Sequence, residues 1–305
     1  MANAFGTLST GLVVQEALDL VFKMYPVLNR ITKDFSNEQL NFNQAVNTRK
    51  IALPTVSNFG SAATDRADTN ISVTLDQHKE IKHNITVAEY SGTDRNLIQE
   101  SAQPIAEAIG THMVAAISAL WTNANYGGGS TQETVTAAAS FNYSALTTHR
   151  ATLNGRGVPK SNRFVVCGTT PYATLLNDSL VVATQNNPVG GMSIQEGMLS
   201  KVAGFDIFEY PDLLTTGTST GTKVAVCGSP DSTIMVSRVQ KDPRATLSNA
   251  SFPGAYGVVS NAQSGLSVLV REWIDPTNMS ANIAVSWMYG VAVGNTNNLQ
   301  IIKSA

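Results

Sequence analysis

The sequence predicts an α+β protein, and three observations carry that prediction. Ile98, Ala102, Ile105, Ile109, Met113, Ala116 and Leu120 recur at three- and four-residue steps, the apolar stripe of a long helix over residues 93–124. Ile71, Val73 and Leu75 alternate with Ser72, Thr74 and Asp76, the period of a half-exposed strand. Short apolar runs at Phe164–Cys167 and Val224–Cys227 read as buried strands, with helical and loop segments between them. The chain has 305 residues, enough for one or two packed units, and 43% of them are hydrophobic, which excludes a mostly disordered chain.

Taken in order, residues 1–45 read as an arm. Ala17, Leu18, Val21, Phe22 and Tyr25 mark one face of a helix from Gln15 to Leu28, limited by Pro26. Asn29 to Gln44 is polar and has no strong period. An arm this thin cannot bury itself and must lie against other parts of the chain or other chains. Residues 46–90 read as one long antiparallel ribbon. Its first limb includes Arg49–Leu53 and its second runs from Ile71 through Ile81 and Ile85 to Val87, around a polar tip at residues 57–70. A two-stranded ribbon is marginal alone, so its outward face needs a partner. The helix at 93–124 is predicted to be the longest, with Pro104 in the first turn of its main part and Gly127–Gly129 as a linker after it. A helix at Tyr143–Leu153, strands at Phe205–Tyr210, Lys223–Cys227 and Ile234–Arg238, and helices at Pro171–Asn177 and Ile194–Leu199 follow. Gln185–Gly191 reads as a loop. Residues 258–305 are mostly strand, with Gly265–Trp273 and Ala281–Trp287 joined by a turn at Asp275–Asn278.

Charged residues make up only 14% of the chain and the net charge is −2, which excludes a protein that grips nucleic acid mainly by overall charge. Ser, Thr and Asn replace the missing charge and supply about a quarter of the residues. A lone domain usually keeps itself dispersed with charge; this surface suits a subunit largely covered by neighbours. There is no stretch of the ~20 apolar residues that a membrane helix needs, and the N-terminus lacks the pattern of a secretory signal. The two cysteines make no disulfide framework, which fits a reducing cytosol.

Motifs for chemistry are weak. His78 and His83 are separated by an odd number of residues along a strand and face opposite ways, and His112 and His149 stand on separate helices, so the histidines make no metal set. Cys167 and Cys227 end apolar strands and read as buried small hydrophobes rather than nucleophiles. Gly6–Gly11 lacks the Lys-Ser/Thr end of a phosphate loop, and no Gly-X-Ser-X-Gly elbow is present. No motif calls for a cofactor. Arg238, Lys241 and Arg244 form a basic run without interleaved aromatics, too weak for a nucleic-acid site.

The order of arm, ribbon, long helix, α+β unit and closing strands resembles the major capsid protein of tailed bacteriophages, the Hong Kong 97 fold. The resemblance covers nearly the whole chain. Its carriers are the opening Thr7–Leu20, with Glu16-Ala-Leu-Asp-Leu20 in its helix; the ribbon; the segment Val158-Pro-Lys-Ser-Asn-Arg-Phe-Val-Val166; and Ser200-Lys-Val-Ala-Gly-Phe-Asp-Ile-Phe208. It implies an N-terminal arm at 1–45, an extended E-loop at 46–90, a peripheral domain with a spine helix at 91–157, an axial domain at 158–257, and closing strands of both domains at 258–305. It also implies a non-enzymatic subunit that forms hexamers and pentamers of an icosahedral head around double-stranded DNA, in the virion after assembly in the host cytoplasm. A portal and a decoration protein are further implied partners. Candidate intersubunit residues are Phe59, Asp65, Arg66, Asp68, Lys79 and Lys82 on the ribbon, and Asn187 and Pro188 in the loop that would meet its copies at the capsomer centre.

The ribbon begins by about residue 46, which leaves no room for the long charged N-terminal scaffold segment of some relatives. A separate scaffolding protein is therefore expected. The prototype's Lys–Asn crosslink is not carried over, because Lys79 and Lys82 align with no catalytic acid or partner Asn. Two other readings stand beside the capsid: an encapsulin-like compartment shell, and an α+β enzyme using a cysteine.

Overall fold

The computed structural model describes residues 5–50, 68–92, 100–126, 132–182, 201–213, 217–241 and 255–304, with positions 56, 58–60, 62, 197 and 199 between them. Helix α1 spans Phe5–Met24 and is followed by a 3-10 turn, Pro26–Arg30. Strands β1 (Thr32–Leu40), β2 (Ala45–Lys50), β3 (Thr69–Thr74) and β4 (Gln77–Thr86) come next, then the short α2 (Val87–Gly92) and the long α3 (Ala102–Leu120). Strand β5 (Glu133–Val135) leads to α4 (Tyr143–Gly155), β6 (Phe164–Cys167), α5 (Thr169–Leu176) and α6 (Ser179–Val182). The remainder is β7 (Lys201–Val202), β8 (Phe205–Glu209), β9 (Lys223–Gly228), β10 (Thr233–Gln240), β11 (Ala255–Ser260), β12 (Ser267–Asp275), β13 (Ser280–Val293) and β14 (Leu299–Lys303).

Among the described residues these strands form two six-stranded sheets and a two-stranded ribbon. The larger sheet has the order β1-β10-β13-β12-β11, with β4 on the other edge of β13. The register shows why one strand serves three partners. The first part of β13 pairs with β12 up to Ser286, and its last part pairs with β10 from Met288 onward, so these two follow each other along one edge. β4 takes the opposite edge from Ser280 to Tyr289. The second sheet has the order β5-β14-β9-β6-β8-β7.

The core follows from two-residue alternation. Phe164 and Val166 on β6, Val226 on β9 and Leu299 and Ile301 on β14 face one way and join α1, α3 and the larger sheet in a single cluster. Val165, Cys167, Ala225, Cys227 and Ile302 face the other way and pack under α4 and α5. Helix α3 buries Ile105, Ala106, Ile109, Met113, Val114 and Ile117. Gly110 among them is a close-approach site: a β-carbon there would run into the Tyr25 ring. Tyr25 also shares a 2.6 Å hydrogen bond with Thr111, so the end of α1 is seated on α3.

Several sequence expectations change. The arm helix begins ten residues before Gln15, stops at Met24, and at 20 residues is one longer than α3. Its Val13, Val14, Ala17, Leu18 and Val21 are buried against this chain's own core. Asn29 to Gln44 holds β1, a parallel partner of β10 that has no apolar period because it is a half-exposed edge strand. The second limb of the ribbon is two strands. β3 pairs with β2, whereas β4 turns away at Leu75–Asp76 and joins the larger sheet. Val87 begins a helix instead of ending that strand. The loop at Gln185–Gly191 lies outside the described residues, as does nearly all of the helix expected at Ile194–Leu199. β14, not singled out from the sequence, is buried along its whole length.

Candidate assembly surface

The ribbon is built from a firmly held base and an exposed end. Val46 faces Val73 and Thr48 faces Ile71 across the β2–β3 pair. Val73 and Leu75 are fully buried with Ile234, Val236 and Met288 on the face of the larger sheet turned away from α3. The approach is close enough that a β-carbon at Gly290 of β13 would meet the carbonyl oxygen of Thr74. Two such side chains are worth about 1.5–3 kcal/mol each, which anchors the base. Beyond Lys50 and Thr69 the situation reverses: Phe59 is fully exposed and Val56 is 97% exposed.

The sequence-derived interface residues separate accordingly. Asp68 closes the ribbon by an ion pair with Arg49 at 2.6 Å. Lys79 and Lys82 stand on opposite faces of β4, since they are an odd number of residues apart. Lys79 lies in register with Trp287 and close enough to His112 to lower its pKa, after burial, which is the larger cause. Lys82 faces the other way and pairs with Glu80 at 3.1 Å; Arg271 also pairs with Glu80. The two lysines therefore belong to different surfaces. Asp65, Arg66, Asn187 and Pro188 lie outside the described residues.

Among the exposed apolar residues not singled out from the sequence, two sets lie at turns. Ile274 and Met279, 70% and 62% exposed, flank the β12–β13 turn. Asp275 caps that turn by accepting from the Thr277 amide at 2.9 Å and from Asn278 at 2.8 Å. Phe42, half exposed, sits in the β1–β2 turn against His78. The signal was present: a large apolar residue directly beside a turn, out of phase with any core.

The chemical candidates are packed inside. Cys167 and Cys227 are free and fully buried on neighbouring strands, with Cys227 opposite Val165. Burial pushes both thiols up to about 12, so neither is a thiolate near neutral pH. His149 is buried among Thr134 (3.3 Å), Thr136 (3.4 Å) and Gln300 (3.4 Å). No group of three metal-ligating side chains occurs among the described residues. A cleft of about 340 Å³ lies between β4 and the start of α3, lined mainly by Ile81, Ile85, Pro104 and Ile105 with His83 and Glu89 at its polar side. Thr86 already occupies the Glu89 carboxylate through its amide and hydroxyl, both at 2.8 Å. No helix among the described residues is long and apolar enough to cross a membrane.

No protein-family model matches the sequence, and no curated protein matches it. Solved structures do. A chain from the capsid structure of cyanophage P-SCSP1u superposes with a TM-score of 0.59 at 13% identity, over 90% of this chain and 86% of that one. The capsid of Ralstonia phage GP4 gives 0.58 at 9% identity, over 90% and 86%. A chain from Mycobacterium phage Che8 gives 0.54 at 16% identity, over 85% and 84%. Likeness at such low identity speaks of fold, and it spans nearly all of each chain. The protein has the mixed helix-and-strand fold seen in chains of these phage capsid structures.

Proposed function

We propose that this chain is a major capsid protein that assembles as hexamers and pentamers into a closed icosahedral head enclosing double-stranded DNA. The observation that carries the reading is the ribbon, fixed at its base in the subunit's own core and ending in Phe59 and Val56 with no cover. An exposed apolar end on a rigid support suits a neighbouring copy, and repeating that contact around closed symmetry gives rings. In this reading the E-loop expected at residues 46–90 is the β2–β3 ribbon, because β4 lies in the larger sheet; residues 91–157 with α3 belong to the peripheral domain and residues 158–257 to the axial domain, except that β5 and α4 pack with the second sheet and β10 with the larger one. Asn187 and Pro188 would meet their copies at the capsomer centre, and Asp65 and Arg66 would take part at the ribbon tip. A separate scaffolding protein, a portal and a decoration protein are the proposed partners, and the assembled virion is the proposed location. The role is structural rather than enzymatic. The buried, protonated thiols speak against the cysteine-enzyme alternative.

The test is expression of the full chain with its neighbouring gene products, followed by electron microscopy. Closed shells are the expected result. A strictly monomeric protein at every concentration, with those products present, overturns the reading. Shells filled with a cargo protein instead of DNA would assign the chain to an encapsulin-like compartment.

A further inference from the structure

Basic residues are unevenly placed along the chain. No Asp or Glu occurs between Glu133 and Asp178. Residues 134–205 carry Arg150, Arg156, Lys160, Arg163 and Lys201 against Asp178 and Glu196, in a chain whose net charge is −2. The fold brings Arg150, Arg163 and Lys201 together at one corner of the second sheet. Arg150 on α4 reaches over the β7–β8 turn, where a β-carbon at Gly204 would lie 3.6 Å from its guanidinium carbon. Lys201 opens β7 in register with Asp206 on β8. The Asp206 amide donates to the Arg163 carbonyl at 2.9 Å, and its carboxylate is occupied by Arg30 at 3.0 Å.

Two of the arginines are framework. Arg163 is buried and donates to the carbonyls of Pro159 and Val158 at 2.8 and 2.6 Å, which fixes the loop that bears Lys160. Burial, and after it the nearby Arg150 charge, holds Arg163 below the ordinary arginine range. Arg156 donates to the Leu299 carbonyl at 3.1 Å. Arg150, Lys160 and Lys201 are exposed. Asp178 is engaged at the start of α4, where it accepts from the Tyr143 amide at 2.7 Å, and Glu196 lies outside the described residues. No large apolar side chain is exposed between Tyr143 and Leu180. Among the described residues the corner therefore offers flexible positive charge on a rigid, positively charged support, with no apolar pocket for a peptide and no exposed aromatic ring for stacking bases.

We propose that Arg150, Lys160 and Lys201 form a surface that meets the phosphate backbone of duplex DNA, placing this corner on the inner wall of the shell. Phosphate interactions of this kind position DNA without reading its sequence. The inference rests on the shell reading above, and the two are tested separately on the same preparations. The full-length subunit is titrated with a labelled mixed-sequence duplex of about 30 base pairs between about 50 and 200 mM salt. The wild type should lose affinity as salt rises. A variant combining Arg150→Gln, Lys160→Gln and Lys201→Gln should bind roughly tenfold or more weakly at the low-salt end, with a salt slope smaller by about 0.9 for each phosphate it no longer neutralises. Arg150→Lys with Lys160→Arg and Lys201→Arg should keep the wild-type slope, which separates charge from misfolding. Replacing Lys79 and Lys82 by Gln should leave binding unchanged. A wild type that does not bind, a triple-Gln variant with the wild-type slope, or preferential binding of polyglutamate overturns the proposal. Shell closure is scored by microscopy, and the triple-Gln variant should still close. Absence of wild-type shells would defeat the shell reading and leave the DNA titration to be judged on its own.

Discussion

Cys167 and Cys227 sit on adjacent antiparallel strands and face the same core under α4 and α5. A thiol held up to about 12 by burial reacts only when the strands part. Titration of the native protein with a thiol reagent should therefore be slow, and denaturant should make both groups react at once. Rapid labelling of either thiol in folded protein would show that the second core opens readily. His149 gives a pH-dependent counterpart. Burial lowers its pKa to about 4, against about 6.5 for the free side chain. Between these values the unfolded chain binds a proton that the folded one does not, so this contribution is complete above about pH 6.5, is lost as pH falls, and levels off below about 4. The loss is at most about 3 kcal/mol. Other groups titrate too, so the measurement is the difference in unfolding free energy between wild type and His149→Gln. That difference should shift in favour of the variant on acidification through this window; parallel curves would mean that His149 is not held neutral.

At the scale of elements, the ribbon base and tip should part company under mutation. Lys50 and Thr69 are the last described register pair of the β2–β3 ribbon, so an Asn-Gly turn placed directly between them replaces the tip and closes the hairpin. The variant keeps Val73 and Leu75 in the core. It should match wild type in circular dichroism and unfold within about 1 kcal/mol of it, the scale of surface changes, yet form no closed particles. Normal assembly would make the tip a solvated turn; loss of folding would make it part of the core. The division between base and tip was legible in the sequence only in part. The alternation of Ile71, Val73 and Leu75 showed a strand, but its separation from β4 depends on pairing with β13, some 200 residues away, which no local pattern encodes. The α3 stripe was legible because its spacing is local. β1 was not, because Thr32–Leu40 is polar and owes its place to β10 and to Arg238, which reaches Asp34 with two 3.0 Å bonds. The cysteines' burial could be read from their apolar strands, whereas the cationic corner showed along the chain only as a stretch without Asp or Glu, and bringing Lys201 beside Arg150 takes the β7–β8 turn.

For the whole molecule, the question is whether the two sheets behave as independent domains. Their cores meet at Trp121, which ends α3. Its indole N–H donates to Thr233 of β10 at 3.1 Å, and its ring lies 6.2 Å from that of Phe164 on β6, so one buried side chain touches both sheets. Tyr126, just after α3, donates to the Ser232 carbonyl at 2.9 Å and so fixes that end of the helix to the start of β10. Arg30, just after α1, reaches across to Asp206 on β8 at 3.0 Å. Because the first cluster runs continuously from α1 and α3 into β6, β9 and β14, opening either sheet exposes apolar surface of the other. The isolated subunit should then unfold in one transition, with tryptophan fluorescence and far-ultraviolet circular dichroism giving the same denaturant midpoint. Truncating Trp121→Ala removes the shared side chain and one of the two hydrogen bonds of the Thr233 hydroxyl, leaving the one to Tyr126. It should cost about 3–5 kcal/mol, the range for a large buried aromatic. If the junction is what couples the sheets, that variant should also split the two probes, with the second sheet, monitored through exposure of Cys167 and Cys227, opening before the larger one. Two separate transitions already in the wild type would show that the sheets fold independently and that the packing at Trp121 is incidental to cooperativity.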